Sequence, residues 1–498
     1  MPRSPILLLA AATALLGSPP GAGAQGVLGG PPAGLPALPQ VSVPAAALPG
    51  GRGVALPDLA APLRQATPPA VADTLGGVRI PDLNPAPLTG SLNDLLADPA
   101  DAALSPAQDL TAGARRTLSS AQDRRARRDA LIRQNPDLIE ADPRGEPALR
   151  GQVVALAPSP QTLARLRAEG FKVRPQPEAD PLNMGLTIIE APEGLSAARA
   201  VDRLRRLDPA GAYDFNHLYL DAGDAAGPAA RKARAAPAGP VRVGLVDGGV
   251  DAAHPALRGV KLTQRGFAPG GVRPSAHGLA VASLLVGAQG RFRGAAPGAS
   301  LYAADVYGPT PAGGSVQAIA AALGWMAKLR VPVVNVSLVG PPNLVLRAAV
   351  DALQSRGAVV VAAVGNDGPA APPLYPAAYP GVVAVTAVDS RGRLLPEAGR
   401  GAHVDFAAPG SDMAAAGAGG FVAVRGTSFA APVVAGRLAR RLAAPDRAAA
   451  TTALAAMSRE AVDLGPRGPD RSFGQGLVGR EVAVPPSAVA ARGLLAGR

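Results

Sequence analysis

Val243-Gly244-Leu245-Val246-Asp247-Gly248-Gly249 decides how this 498-residue chain reads. It is an apolar run that does not alternate, and it ends on a carboxylate followed by two glycines. A strand with one wet face alternates apolar and polar side chains, whereas a strand covered on both faces does not. Counted from Val241, the run Val241–Val246 is followed by others of its kind at Val331–Val336, Val359–Val364 and Val382–Val388. Stretches of helical period lie between them, at Ala280–Val286, Val316–Lys328 and Leu344–Ser355. Buried strands alternating with helices predict an α/β fold, a mostly parallel sheet flanked by helices, over residues 241–484.

Such sheets gather their chemistry beyond the carboxyl ends of their strands. Four short motifs fall at those places. Asp247 closes the opening run, and Ala276-His277-Gly278 puts an imidazole at a helix start. Gly365-Asn366-Asp367-Gly368 puts an amide in a glycine-bracketed loop after a strand, and Gly426-Thr427-Ser428 puts a hydroxyl at the entry to a helix. A serine hydroxyl needs an imidazole to take its proton, and the imidazole needs a carboxylate to fix its tautomer. The tetrahedral intermediate of acyl transfer needs donors for its oxyanion, which an asparagine amide and a backbone N–H at a helix start can supply.

In the order Asp247, His277, Asn366, Ser428 the chain resembles the subtilisin-like serine proteases (subtilases). The resemblance also takes in His254-Pro255, Val334-Asn335-Val336-Ser337-Leu338, Tyr375-Pro376 and Ala407-Ala408-Pro409-Gly410. It implies a serine endopeptidase with Ser428 as nucleophile, His277 as general base, Asp247 as its orienter and Asn366 as oxyanion donor. It also implies that Ser337, Leu338, Val339, Ala363, Val364 and Gly365 bind the substrate, with Leu374 at the base of the pocket for the residue before the cut. That pocket should prefer small or medium apolar side chains. Asp367, at its rim, reads as a turn former. Three positions depart from the family's habit: Gly248 and Leu279 where it has hydroxyl residues, and Val339 where it has glycine. They leave open a slow enzyme, or an inactive subtilase-fold module that binds peptides. No cofactor is expected. Calcium, which many relatives bind, is not supported, because Ala256 stands at one usual ligand position and the loop Gly287–Arg293 offers no carboxylate.

Outward from this core, residues 152–220 have the order strand, helix, strand, strand, helix, strand, closing on a strand at His217–Leu220. That is a split βαβ pattern. The resemblance implies an N-terminal propeptide there, which inhibits the enzyme until cut. The Ala/Gly/Pro/Arg-rich linker at 221–240 is the expected site of self-processing. Before it, residues 112–151 read as a basic, solvated helix with a linker, and 25–111 as a disordered Pro/Ala/Gly-rich region. Residues 1–24 read as a signal peptide: Arg3, the apolar run Ile6–Leu16, then Ala22-Gly23-Ala24 before Gln25. Residues 485–498 read as a tail. A secreted or periplasmic monomer follows, with protein or peptide substrates and its own propeptide as partners, and with no transmembrane span.

Composition narrows the rest. The net charge of +12 is carried almost wholly by arginine spread along the chain, the only lysines being Lys172, Lys232, Lys261 and Lys328. Aromatics make up 3%, so no platform for stacking bases accompanies the charge, and no nucleic-acid partner is expected. The absence of cysteine excludes disulfides, thiolate metal sites and a cysteine nucleophile. The other histidines carry no chemistry in this reading: His254 is structural before Pro255, and His217 and His403 are surface or locally bonded.

Overall fold

The computed structural model describes residues 124–221 and 241–496, all within one compact unit, Asp98–Arg498. The expected signal peptide, the Pro-rich region and all of the linker but Asp221 lie outside the described residues.

Seven parallel strands form the main sheet. In spatial order they are Val404–Pro409, Val383–Val388, Val359–Ala363, Val333–Val336, Arg242–Asp247, Ser300–Asp305 and Leu262–Gly266. Arg242–Asp247 is the earliest of them and sits inside the sheet, with later strands on both sides. Its carboxyl end is therefore where chain connections diverge, the place such sheets leave a crevice. One face of the sheet packs on the helices Ala276–Val286 and Thr427–Ala439, and the other on Val316–Lys328 and Leu344–Ser355. Thr427–Ala439 is buried almost all round, as its run Phe429-Ala430-Ala431-Pro432-Val433-Val434-Ala435 requires. Polar caps start the other helices: Ser275, Ser315 and Asn343 each accept from backbone N–H groups of the first turn.

The smaller domain has a mixed-order antiparallel sheet. Pro147–Leu156 lies centrally, Leu186–Glu190 and then Lys172–Pro175 follow on one side, and Ala212–His217 and Ile139–Ala141 pair with it on the other. Side chains alternate across this sheet with period two. Val153, Ala155 and Ile189 face the domain's own helices, Pro160–Ala168 and Ala197–Leu207, through Leu166, Val201 and Leu204. Val154, Leu186 and Ile188 face the other way, into the cluster of Ile319, Leu323, Leu346 and Val350 from the larger domain.

Four expectations need correction. The small domain begins before residue 152, because Ile139–Ala141 and the first half of Pro147–Leu156 belong to its sheet; a register shift between Ala148 and Val153 breaks the pattern that would have shown it. Its closing strand is Ala212–His217 rather than His217–Leu220, and Leu220–Asp221 leaves to pair with the larger domain. The residues after 485 are not a free tail, since Leu494–Ala496 adds a parallel strand to Gly420–Arg425. Helix 124–134 is not solvated all round, for Arg124 at its start is buried.

His217 is fully buried where the two domains meet. Its Nε2–H donates to Asp142 Oδ2 (3.1 Å), and its Nδ1 accepts from Asn343 Nδ2 (3.0 Å), which also donates to the carbonyl of Phe215. Burial alone would raise the Asp142 pKa, but the hydrogen bonds from His217 and from the N–H groups of Glu146 and Arg144 outweigh it and hold the carboxyl at about 2.

Candidate active site

Asp247 ends its strand and His277 is the second residue of the helix Ala276–Val286; both are 1% exposed. His277 Nδ1 lies 2.9 Å from Asp247 Oδ1, which also accepts from the backbone N–H of Gly248 at 2.6 Å. A proton held on Nδ1 by the carboxylate leaves the basic lone pair on Nε2, the tautomer a general base needs. The imidazole packs on Phe429, ring centroids 5.4 Å apart, and Phe429 follows Ser428 in the chain.

Ser428 is the second residue of the helix Thr427–Ala439, which the chain enters through Gly426 at φ 137°, a conformation side chains disfavour. Its hydroxyl donates to the carbonyl of Ser337 at 3.5 Å, and Ser337 Oγ donates back to the carbonyl of Ser428 at 3.0 Å. Asn335 Nδ2 in turn donates to Ser337 Oγ at 2.8 Å. Ser428 is thus tied to Ser337, at the start of the strand Leu338–Val339, by a buried polar chain. Asn366 Oδ1 accepts from Thr427 N–H at 3.0 Å, and the N–H of Gly365 donates to Thr427 Oγ1 at 3.2 Å. With its oxygen held this way, the amide of Asn366 is fixed as a donor at the helix start.

The structure brings Asp247, His277, Asn366 and Ser428 to one end of the sheet, as the motifs require. Leu338–Val339 forms a short buried strand at the same end. Val364 and Leu374 border one small cavity, and Leu374 fills the space a side chain at 365 would need. Ala363 lies inside the sheet core.

One positioning residue was not singled out in the sequence. Asp305 ends the strand beside Asp247 and pairs with it in register. Its carboxylate accepts from the N–H groups of Arg273 (2.7 Å), Tyr307 (2.9 Å) and Gly308 (2.9 Å), pinning the two loops that flank the site. Burial raises its pKa, the three hydrogen bonds oppose that, and the negative charge of Asp247 adds to it. The only signal was a second apolar strand ending in Asp, Leu301–Asp305. The departure at Gly248 also has a structural reason: a side chain there would overlap the hydroxyl of Ser275, which caps the helix of His277 through Gly278 N–H. Among the described residues, no three metal-ligating side chains converge.

The last strand before residue 222 packs at this end of the sheet. Leu220–Asp221 pairs antiparallel with Leu338–Val339, Leu220 opposite Val339 and Asp221 opposite Leu338. Tyr219 N–H donates to the carbonyl of Gly314 at 2.7 Å, its hydroxyl donates to the carbonyl of Pro341, and its ring lies against Gly340, fully buried.

The sequence profile of the subtilase family matches residues 239–476. Subtilisin DY of Bacillus licheniformis is 33% identical over 253 residues, 49% of this chain and 90% of that protein. The chain belongs to the subtilase family. Subtilisin Savinase of Lederbergia lenta is 37% identical over 211 residues, 40% of this subtilase and 75% of the relative. With subtilisin E of Bacillus subtilis (strain 168) the identity is 36% over 213 residues, and the match spans about half, 54%, of that protein's length. Among solved structures, fervidolysin from Fervidobacterium pennivorans, a keratinolytic enzyme related to subtilisin, superposes with a TM-score of 0.57 at 22% identity, covering 69% of this subtilase and 62% of that chain. The epidermin leader peptide processing protease from Staphylococcus aureus gives 0.51 at 16% identity over 66% of this chain and 97% of its own. Both likenesses concern the fold.

Proposed function

We propose that this subtilase is an exported serine endopeptidase made as a zymogen that cuts itself. His277 takes the proton of Ser428 through Nε2 as the hydroxyl attacks the peptide carbonyl. Asp247 stabilises the imidazolium, and the Asn366 amide with the Ser428 N–H stabilises the oxyanion. The acyl-enzyme forms as His277 returns the proton to the departing amine, and water then releases the acid by the same path in reverse. The observation that carries the reading is the strand Leu220–Asp221 lying in register along Leu338–Val339. Asp221 stands opposite Leu338, the residue after Ser337, whose carbonyl already takes the Ser428 hydroxyl, and the cut is placed one residue on. The bond cut is then Ala222–Gly223, with a small apolar residue before it. Residues 124–222 form the propeptide, with Tyr219 as its deepest anchor. Export is supported by the apolar run Ile6–Leu16, and no helix among the described residues is long and apolar enough to cross a membrane.

A serine-directed fluorophosphonate tests the reading. After incubation the wild-type chain should label at Ser428, while the His277→Ala chain should stay unlabelled. Equal labelling of the two, or none of either, removes the proposal.

A further inference from the structure

Helix 124–134 has no part in the chemistry just described, yet it lies on the cleft. Arg124 at its start is buried and positions 127–132 are half-buried, while Arg125 and Arg133 are exposed, so its middle lies against the body of the protein. Arg124 is 4% exposed, and its Nη1 lies 2.6 Å from Asp367 Oδ2. Asp367 is the residue after the oxyanion donor Asn366 and borders the same small cavity as Val364 and Leu374. One turn on, Arg127 is close enough for its charge to act on the buried Tyr307, whose hydroxyl also feels the carboxylates of Asp221 and Asp247. Arg128 pairs with Glu146, and Leu131 and Ile132 pack beside Leu218 and Ala312. The helix therefore crosses the site from the oxyanion side to the root of the strand that fills the cleft.

We propose that helix 124–134 is a second closure of the substrate cleft, clamped by the Arg124–Asp367 ion pair, so that cutting the chain and opening the cleft are separate steps. The inference rests on the protease reading above. A cut after Ala222 frees only one end of the strand Leu220–Asp221, whose hold is backbone pairing. The helix keeps its own hold at the other side of the site. Breaking an ion pair withdrawn from water leaves an uncompensated charge, so removing one partner weakens the clamp strongly. For paired charges at an interface that loss falls mainly on the dissociation rate.

The test uses the full chain, Arg124→Ala and Arg124→Lys. Two clocks are read in each: appearance of the cut fragment, and appearance of activity on a small chromogenic peptide. Cutting should proceed at the same rate in all three. The lag between cutting and activity should fall about tenfold or more in Arg124→Ala and by less in Arg124→Lys, which keeps a point charge without the planar fork. Raising salt from about 50 mM to about 1 M should shorten the wild-type lag more than that of Arg124→Ala. Equal lags in wild type and Arg124→Ala at both salts would overturn the proposal. A processing-independent readout covers a variant that fails to cut. In the Ser428→Ala background, amide exchange over residues 124–134 should quicken when Arg124 is also replaced by Ala, and unchanged protection contradicts the clamp. Failure of the protease reading looks different: no cut fragment and no activity appear in wild type, while the exchange experiment still reports on the helix.

Discussion

The two sheets of this molecule are covered in different ways. The seven-stranded sheet is sealed on both faces by its own helices. The small sheet is sealed on one face by its own two helices and on the other by the helices Val316–Lys328 and Leu344–Ser355 of its neighbour. A sheet so built is complete only while docked. The difference teaches where each part keeps its stability: that of the small domain is shared with the surface it packs on.

The largest effects should come from the site at the end of the seven-stranded sheet. Ser428→Ala should lower turnover on the order of 10⁶-fold and abolish self-cutting, a scale set by the equivalent change in a subtilisin; initial rates on a chromogenic peptide measure it. Asn366→Ala should cost roughly 10²–10³-fold in kcat with little change in KM, again a range known from a subtilisin rather than derived from this geometry. A change confined to KM would show that the amide binds substrate instead of the oxyanion.

The shared face sharpens the comparison next. Ile188→Ala leaves a cavity between the domains and should weaken docking by about 2–4 kcal/mol. Leu204→Ala, in the small domain's private core, should unfold that domain by a similar amount. Fragment release after cutting separates the two, because Ile188→Ala should speed release of a folded fragment and Leu204→Ala should yield one sensitive to trypsin.

The smallest effect is that of acid on Asp142. Its carboxyl is held at about 2 in the folded protein against an ordinary 3.8, so the folded state favours the charged form. That contribution, about 2 kcal/mol, is complete above about pH 4 and is lost as pH falls through about 2. Asp142→Asn should remove the pH dependence of the small domain's stability between those limits, read in the uncut Ser428→Ala chain by sensitivity to pepsin, which works in acid. A wild-type profile that stays flat across that window contradicts the assignment.

Much of this was legible in the sequence, for reasons that differ by element. The runs Val241–Val246 and Val359–Val364 announce strands buried on both faces, because nothing in them alternates. The four motif residues announce themselves by chemistry and order. What stayed hidden depends on partners far away in the chain. Arg124 reads as one arginine among many on a basic helix, and only the fold supplies Asp367, 243 positions later. His217 reads as a surface or locally bonded residue until Asp142 and Asn343, 75 and 126 positions away, are seen to enclose it. His217–Leu220 has the look of the small domain's closing strand, but the pairing falls on Leu220–Asp221, with Leu338–Val339 of the larger domain. Asp305 takes two N–H groups of its own following turn and one from Arg273, 32 positions earlier, and that last partner is marked by no local pattern.

The position of the cut is the sharpest test of the claim that the protein lies in its own cleft in productive register. Sequencing the new amino terminus at the earliest time of processing should give Gly223, with no such end formed by the Ser428→Ala chain. A first cut well away from that bond, or the same end appearing without the serine hydroxyl, would contradict the account.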